Sequence, residues 1–445
     1  MASVRRVAWS ATLTDLLGTP VGELAAEHIR QLVTDKVRET DELEFKATLY
    51  AKDDEHKVEL CKDIAGLRNH RGGIILLGVG EKDAVANGCP EVPFSDPEER
   101  RMRQVVASGT APHAAFEIRR VPGKSETRGF YVLIAEPSPF RPHAVLVADG
   151  LRYPRRDGTT TRYLSEAEVA DLYRDRFRGE KQQTERLAQI AEEAIPHLDL
   201  TESQWWLVVS LVPNSPGDLQ ISFTARADIE QWARSEHNNG DLIDGFWGEV
   251  PPEAGVSVER YMLSSHADRG APSRYPIAFC FTDGSTSAAS TVRSVNDDTP
   301  QHKPVVLAPH LVLRAATALR LAGRHALRTG ARGDAVVEVR LFGTPHSALG
   351  FTHSDIVEAH PSSLLVTDAR AHLTLPLEAL GGAPVDLLEA TRLALGDIFN
   401  AFGCPEVLQI APGGALCVAY FPSGYNVAGL AAAREIPTSH EPIPE

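Results

Sequence analysis

Cysteine is scarce in this 445-residue chain and poorly placed for cross-linking. Cys61, Cys89, Cys280, Cys404 and Cys417 are far apart, and none forms a Cys-x-x-Cys pair. An odd, scattered set argues against a disulfide framework and a structural zinc site, and fits a reducing, cytoplasmic setting. Long apolar runs are missing as well. The longest, such as 73–79, are strand length, against the roughly 20 residues a membrane span needs. The N-terminus carries Arg5 and Arg6 but no sustained apolar core or small-residue cleavage site, so no signal peptide is expected. Nucleotide signatures fail too. Gly123-Lys124-Ser125 has the ending of a phosphate-binding loop, but position 118 is Ile and the segment reads as a hairpin turn. Gly78-Val79-Gly80 lacks a third glycine, since position 83 is Asp. There is no His-Glu-x-x-His and no Gly-x-Ser-x-Gly.

What is present is ordinary for a globular protein: 43% hydrophobic and 24% charged residues. The length points to about two or three domains. The net charge of -15 is uneven. Residues 1–180 carry about -2 and the remainder about -13. An acidic protein does not hold nucleic acid through its overall field, so RNA or DNA is expected only at the near-neutral N-terminal part.

In chain order, residues 1–38 form a lead-in whose helix, about 21–36, carries Leu24, Ile29, Leu32 and Val33 on one face. A strand at 43–49 precedes a helix at about 55–69, with Cys61 on its core side. The glycines Gly72-Gly73 end that helix, and a buried strand covers 74–79. Residues 82–96 read as a loop and a short helix opens at Asp96-Pro97. A hairpin spans 115–121 and 130–136. A strand at 151–158 and a helix at 165–177 follow, the latter capped by Ser165 with Glu168. Residues 179–200 read as a charged linker helix. A second α+β domain occupies 201–434, with strands at 205–212, 275–281 and 335–342, helices at 310–328 and 385–402, and a long Gly/Ser/Thr-rich loop at 283–303. Arg320, Arg324 and Arg328 share one helix face and are expected to form internal ion pairs. Residues 435–445 read as a loose tail.

The stretch 39–81 holds the chemistry. Alternation on the strand places Leu43 and Phe45 on one face and Glu42, Glu44 and Lys46 on the other. Clustered carboxylates can hold Mg2+ or Mn2+, and a nearby cation can offset phosphate charge. Glu39 sits at odd parity to Glu44, so sharing a site with it requires that 39–41 not be regular strand. Glu42 is the rival by parity. Two basic clusters, Arg152, Arg155, Arg156 and Arg162, and Arg119, Arg120 and Lys124, are the candidates for phosphate contact. A solvated charged face is the simpler reading of both features. Asn69 is read as a turn-stabilising side chain and His70 as a surface residue.

Glu39-x4-Glu44-Phe45-Lys46, Ala65-x3-Asn69-x2-Gly72-Gly73, Gly78-Val79 with Glu81 close behind, and 153–160 together resemble the Schlafen AlbA-type domain over about 39–178. The resemblance implies an α+β fold with a mixed sheet and flanking helices. It also implies a metal-dependent endoribonuclease acting on structured RNA such as tRNA, with Glu39, Glu44 and Glu81 holding Mg2+ or Mn2+ and Lys46 assisting. The family's nucleases carry Asp where this chain has Glu81. A toxin-like or anti-phage role, and a homodimer supplying a second lobe, follow from the same resemblance. Other family members are known only as DNA-binding or ATP-binding. The alternative is therefore a non-catalytic nucleic-acid-binding regulator with a C-terminal sensing or interaction domain.

Overall fold

The computed structural model describes residues 10–148, 150–200, 204–238, 246–247, 251–265, 272–299, 302–353, 356–422, 427–433 and 435–439. The fold is α+β, in two compact units, Met1–Lys181 and Gln182–Glu445. Among the described residues no helix is long and apolar enough to cross a membrane.

The first unit runs α1 (Ala11–Leu17), α2 (Ala26–Thr34), β1 (Leu43–Lys46), α3 (Asp54–Arg68), β2 (Gly73–Leu77), β3 (Gly80–Lys82), β4 (Val85–Gly88), β5 (Val92–Pro93), α4 (Asp96–Gly109) and β6 (Thr110–Ala111). It continues with β7 (Glu117–Ser125), β8 (Arg128–Ala135), β9 (Ala144–Val147), β10 (Gly150–Arg152), β11 (Pro154–Asp157) and β12 (Thr160–Tyr163). The main sheet has the order β1-β2-β8-β5, with β7 also on β8. β1 lies parallel to β2, with Leu43 opposite Ile74 and Lys46 opposite Leu77. Leu43, Phe45, Ile74 and Leu76 pack with α1 and α2 on one face. Ile75, Leu77 and Leu133 pack with α3 and α4 on the other. A strand covered on both faces reads as a continuous apolar run, which is why Gly73–Leu77 is buried throughout.

The lead-in helix α2 begins later than the apolar pattern indicates, because Val21–Glu23 is a separate 3-10 turn. Residues 82–96 are not one loop. They carry the β3–β4 hairpin and the short strand β5.

The turn after α3 is squeezed. Gly72 has φ +80°, and a Cβ there would lie 2.6 Å from Pro137 Cδ and 2.8 Å from the Ala135 carbonyl oxygen. A Cβ on Gly73 would meet the Glu42 carbonyl oxygen at 2.6 Å. This close approach lets the Ile74 N–H reach the Glu42 carbonyl at 2.8 Å and so starts the β1–β2 pairing.

Instead of two helices at 165–177 and 179–200, one helix, α5 (Glu166–Ala194), crosses the boundary between the units. Gly179 does not break it. A lone helical glycine costs only about 1 kcal/mol, and ion pairs Arg174–Asp171 and Arg176–Glu180 flank it. Its start is the expected capping pair: Ser165 N–H donates to Glu168 Oε2 and Glu168 N–H donates to Ser165 Oγ.

The second unit continues with β13 (Trp205–Ser215), α6 (Phe223–Asn238), β14 (Glu253–Ser257), β15 (Arg260–Ser264), β16 (Ile277–Phe281), β17 (Thr286–Val292), β18 (Ser294–Asn296) and β19 (Pro304–Leu307). Then come α7 (Ala308–Thr329), β20 (Arg332–His353), β21 (Ile356–Ala359), β22 (Val366–Pro376), α8 (Leu377–Gly381) and α9 (Pro384–Ala401). Its large sheet has the order β14-β15-β16-β17-β13-β20-β19-β18, with β21 and β22 also on β20. α7 and α9 pack on the face that presents Trp205, Leu207 and Val209. The segment 283–303 is not a long loop. It contributes β17 and β18, and Ser287, Ala288, Ala289 and Ser290 are fully buried. Small residues let α7 approach this part of the sheet closely, which a composition-based loop reading misses. Arg324 pairs with Glu236, while Arg328 lies 5.8 Å from the Trp232 ring centroid. In the tail, Thr438–Ser439 pairs as a short strand, and 440–445 lie outside the described residues.

The Gly72-Gly73 turn yields a stability prediction. Gly72→Ala is expected to destabilise the first unit by at least about 1–2 kcal/mol, the cost of a left-handed alanine before any clash. Urea unfolding followed by circular dichroism measures it. Wild-type stability in the variant means that the turn relaxes freely.

Candidate functional site at a buried carboxylate pair

Residues 39–42 lie outside β1, so the chain turns between Glu39 and Glu44 as their shared site requires. Glu39 Oε1 accepts the Phe45 N–H at 2.8 Å, which folds Glu39 back against the strand. Glu42 goes the other way and accepts the Ser10 hydroxyl at 2.5 Å, anchoring the start of α1. The parity rival is therefore a structural contact on the opposite side.

The cation between Glu39 and Glu44 is Arg156 on β11. Its Nη1 donates to Glu44 Oε2 at 2.9 Å, its Nη2 to Glu39 Oε2 at 3.5 Å, and its Nε to the Thr40 carbonyl at 3.4 Å. Its side chain is only 4% exposed. Arg156, expected among the phosphate contacts, thus faces inward. Three features hold it there. Gly66 on α3 leaves room for the β11–β12 hairpin, since a Cβ would lie 3.2 Å from Thr161. Asn69 donates to the His143 and Pro154 carbonyls, each at 2.8 Å, and accepts the His143 N–H at 2.7 Å. It is a long-range clamp, not a local turn cap. Asp41 accepts the Gly158 N–H and contacts His70 Nε2 at 3.3 Å, while His70 Nδ1 faces Arg155 Nε at 3.3 Å.

Lys46 continues the network. Its ammonium lies 3.2 Å from Glu44, 2.7 Å from Glu59 and 3.6 Å from Asp63. Tyr50 donates to Asp63 at 2.9 Å. Four carboxylates (Glu39, Glu44, Glu59, Asp63) thus surround two cations. Burial raises the Glu39 pKa against the pull of the Phe45 N–H and Arg156, with Glu44 and Glu81 adding to the rise. Burial, then the Glu44 charge, pushes Asp63 up to about 7. Burial opposes the charge on Lys46, but Asp63, Glu44 and Glu59 outweigh it and raise its pKa.

Sequence reading missed Asp63, Glu59 and Tyr50. The available signal was Asp63 itself, an acid among Leu60, Ile64 and Leu67 on α3, four residues from Glu59.

Glu81 is placed near this network without joining it. The Glu39 N–H donates to the Ala84 carbonyl at 2.8 Å, which sets the β3–β4 turn beside Glu39. The exposed Glu81 carboxylate accepts the Ala84 N–H at 2.9 Å within that turn. A divalent ion needs several oxygens converging at about 2.0–2.6 Å, yet a guanidinium lies between Glu39 and Glu44. Among the described residues no group of three His, Cys, Asp or Glu is placed to hold a metal. In this arrangement the residues do not fit a resident divalent ion.

Residues 39–164 match the family model described as Schlafen, AlbA_2. The first unit carries a Schlafen AlbA_2 domain. Among solved structures, the DIP2311 protein from Corynebacterium diphtheriae is 16% identical, with a TM-score of 0.23, over 33% of this chain and 27% of that one. The chain thus spans about a quarter of that protein's length, and so slight a likeness carries no argument. No curated protein matches.

Of the remaining basic candidates on the AlbA_2 domain, several are committed. Arg119 donates to the Val21 and Leu24 carbonyls, and Arg120 pairs with Asp96 and Glu99. Arg162 pairs with Asp157 and Glu168 at the surface. Lys124 and Arg152 are exposed, with no ion pair among the described residues.

Two predictions test the network. Arg156→Met removes the cation paired with Glu39 and leaves Glu44 with Lys46 alone, and is expected to destabilise by about 3–5 kcal/mol. Adding Glu44→Gln recovers part of that loss in urea unfolding. No loss in the single variant removes the bridge from the account. The second concerns Asp63, which holds its proton to about pH 7 when folded and to about pH 4 when unfolded. The folded state binds more protons in between, so this stabilisation is complete below the lower value and is lost as pH rises through the upper one. Stability measured from about pH 5 to about pH 8 should therefore fall more steeply in wild type than in Asp63→Asn. Equal slopes contradict the assignment.

Proposed function

We propose that the AlbA_2 domain binds nucleic acid, and that its buried carboxylate network positions the β11–β12 hairpin instead of cutting the strand. The observation that carries this reading is Arg156, which already compensates Glu39 and Glu44. What remains for phosphate is the outer side: Arg152, Arg155 and Arg162 on the hairpins, with Lys124 near the end of β7. The Arg162 pairs are solvent-exposed and worth little, so phosphate can exchange with them. RNA such as tRNA and DNA both fit this chemistry. The second unit is then the sensing or interaction part of a regulator.

A second reading, the metal-dependent endoribonuclease with a toxin-like or anti-phage role, is favoured by one observation. Glu39 and Glu81 are both hydrogen-bonded to Ala84, whose carbonyl accepts the Glu39 N–H and whose N–H donates to the Glu81 carboxylate, so Glu81 stands beside the Glu39–Glu44 pair. One experiment separates the readings: tRNA and duplex DNA are titrated against the protein across salt concentrations, with and without Mn2+. Retention without cleavage, with affinity falling as salt rises, is expected. Cleavage by wild type that is lost in Glu44→Ala replaces the binding reading with the nuclease.

A further inference from the structure

We propose that Tyr153, Tyr173 and Phe177 form a stacking platform for single-stranded nucleic acid beside the basic outer face of the β11–β12 hairpin. The inference rests on nucleic-acid binding by the AlbA_2 domain and adds the form of the ligand and its place.

Tyr173 and Phe177 stand four residues apart on α5 and so share a helix face. Their rings stack at 24° with centroids 6.1 Å apart. Tyr153 meets Tyr173 edge-on at 6.4 Å, and their hydroxyls lie 3.4 Å apart. The ladder leads outward: Tyr173 is half-buried, whereas Phe177 is 59% exposed. A scattered exposed phenylalanine needs no explanation. One braced from behind by two further rings offers a rigid aromatic face to solvent.

The hairpin supplies the charge. Pro154 and Arg156 are buried toward α3, so Arg155 points outward by alternation, and Tyr153, two residues before it, shares that side. The Leu164 N–H donates to the Tyr153 carbonyl at 2.8 Å, extending the antiparallel pairing to Tyr153. Arg162 stands opposite Arg155 on that outer face, and the exposed Arg152 adjoins Tyr153. Aromatic rings beside cations are the means by which proteins hold single strands without reading sequence. A duplex keeps its base faces stacked within the helix and cannot offer them to a ring. Base stacking is common to RNA and DNA, so either strand type is accommodated.

Fluorescence anisotropy of the full chain with labelled single-stranded RNA and DNA oligonucleotides, and with their duplexes, tests the platform. Phe177→Ala is expected to weaken single-strand binding at least about fivefold and to leave duplex binding and the salt slope unchanged. Phe177→Trp should retain or strengthen it. Undiminished single-strand affinity in Phe177→Ala overturns the platform while leaving nucleic-acid binding by the domain intact. Failure of wild type to bind single strands and duplexes alike overturns both. If wild type is a dimer and Phe177→Ala a monomer of equal affinity, the ring is a self-association contact and the platform falls.

Discussion

The first unit depends on one buried interaction, the Arg156 guanidinium between Glu39 and Glu44. Glu44 is buried and the Glu39 side chain is only 9% exposed, and carboxylates so placed do not stay charged without a partner. The planar fork of arginine serves two acceptors in a fixed geometry, which the compact charge of a lysine does not reproduce. The partners are separated by more than 110 residues of chain, so compensating the charge and closing the β11–β12 hairpin over α3 are one event. Gly66, Asn69 and Asp41 serve the same closure by space, by hydrogen bonds and by a backbone tether.

Lys46 extends this bridge into a chain. Glu44 is shared between Arg156 and Lys46, and Lys46 between Glu44, Glu59 and Asp63. Low-dielectric surroundings strengthen each contact and make each missing one expensive. Acids outnumber cations, so one acid must be the easiest to protonate. Asp63 fills that place because it is nearly fully buried and its nearest cation is 3.6 Å away. Burial and the Glu44 charge therefore favour the protonated form of Asp63 more than an ordinary aspartate's.

Much of this was legible in the sequence, where local patterns decide local structure. The apolar run of β2, the glycine turn and the capping pair at Ser165 and Glu168 follow from nearest neighbours, whereas the displacement of 39–41 from the strand was expected only because the resemblance pairs Glu39 with Glu44. The resemblance found the stretch around which the site is built. Partnership was not legible. Arg156 lies among Arg152, Arg155 and Arg162, and only the alternation of β11, set by packing on α3, turns it inward and Arg155 outward. Asn69 looks like a turn residue because its true partners, His143 and Pro154, are more than 70 residues away. The strand at 286–292 was hidden because its small residues mark close helix packing, which composition does not distinguish from a loop.

The direction in which charge faces constrains any chemistry at this site. Glu39, Glu44 and Asp63 are folded inward with Arg156 and Lys46 among them, while Arg152, Arg162 and the Phe177 ring face outward. On the proposed reading, a phosphodiester on the outer face meets Arg162 at little cost, since its ion pairs are solvent-exposed. For that same phosphodiester to reach Glu44, Arg156 must first leave it, which exposes two buried acids. If that opening costs the roughly 3–5 kcal/mol of a broken buried pair, the open form is only about one molecule in a hundred to one in several thousand. Binding on the outer face needs no such opening, whereas catalysis at the glutamates needs a ligand that stabilises the lifted hairpin by at least that amount. On the proposed reading, the bridge that builds the domain thus also separates the surface that binds from the carboxylates that Arg156 covers.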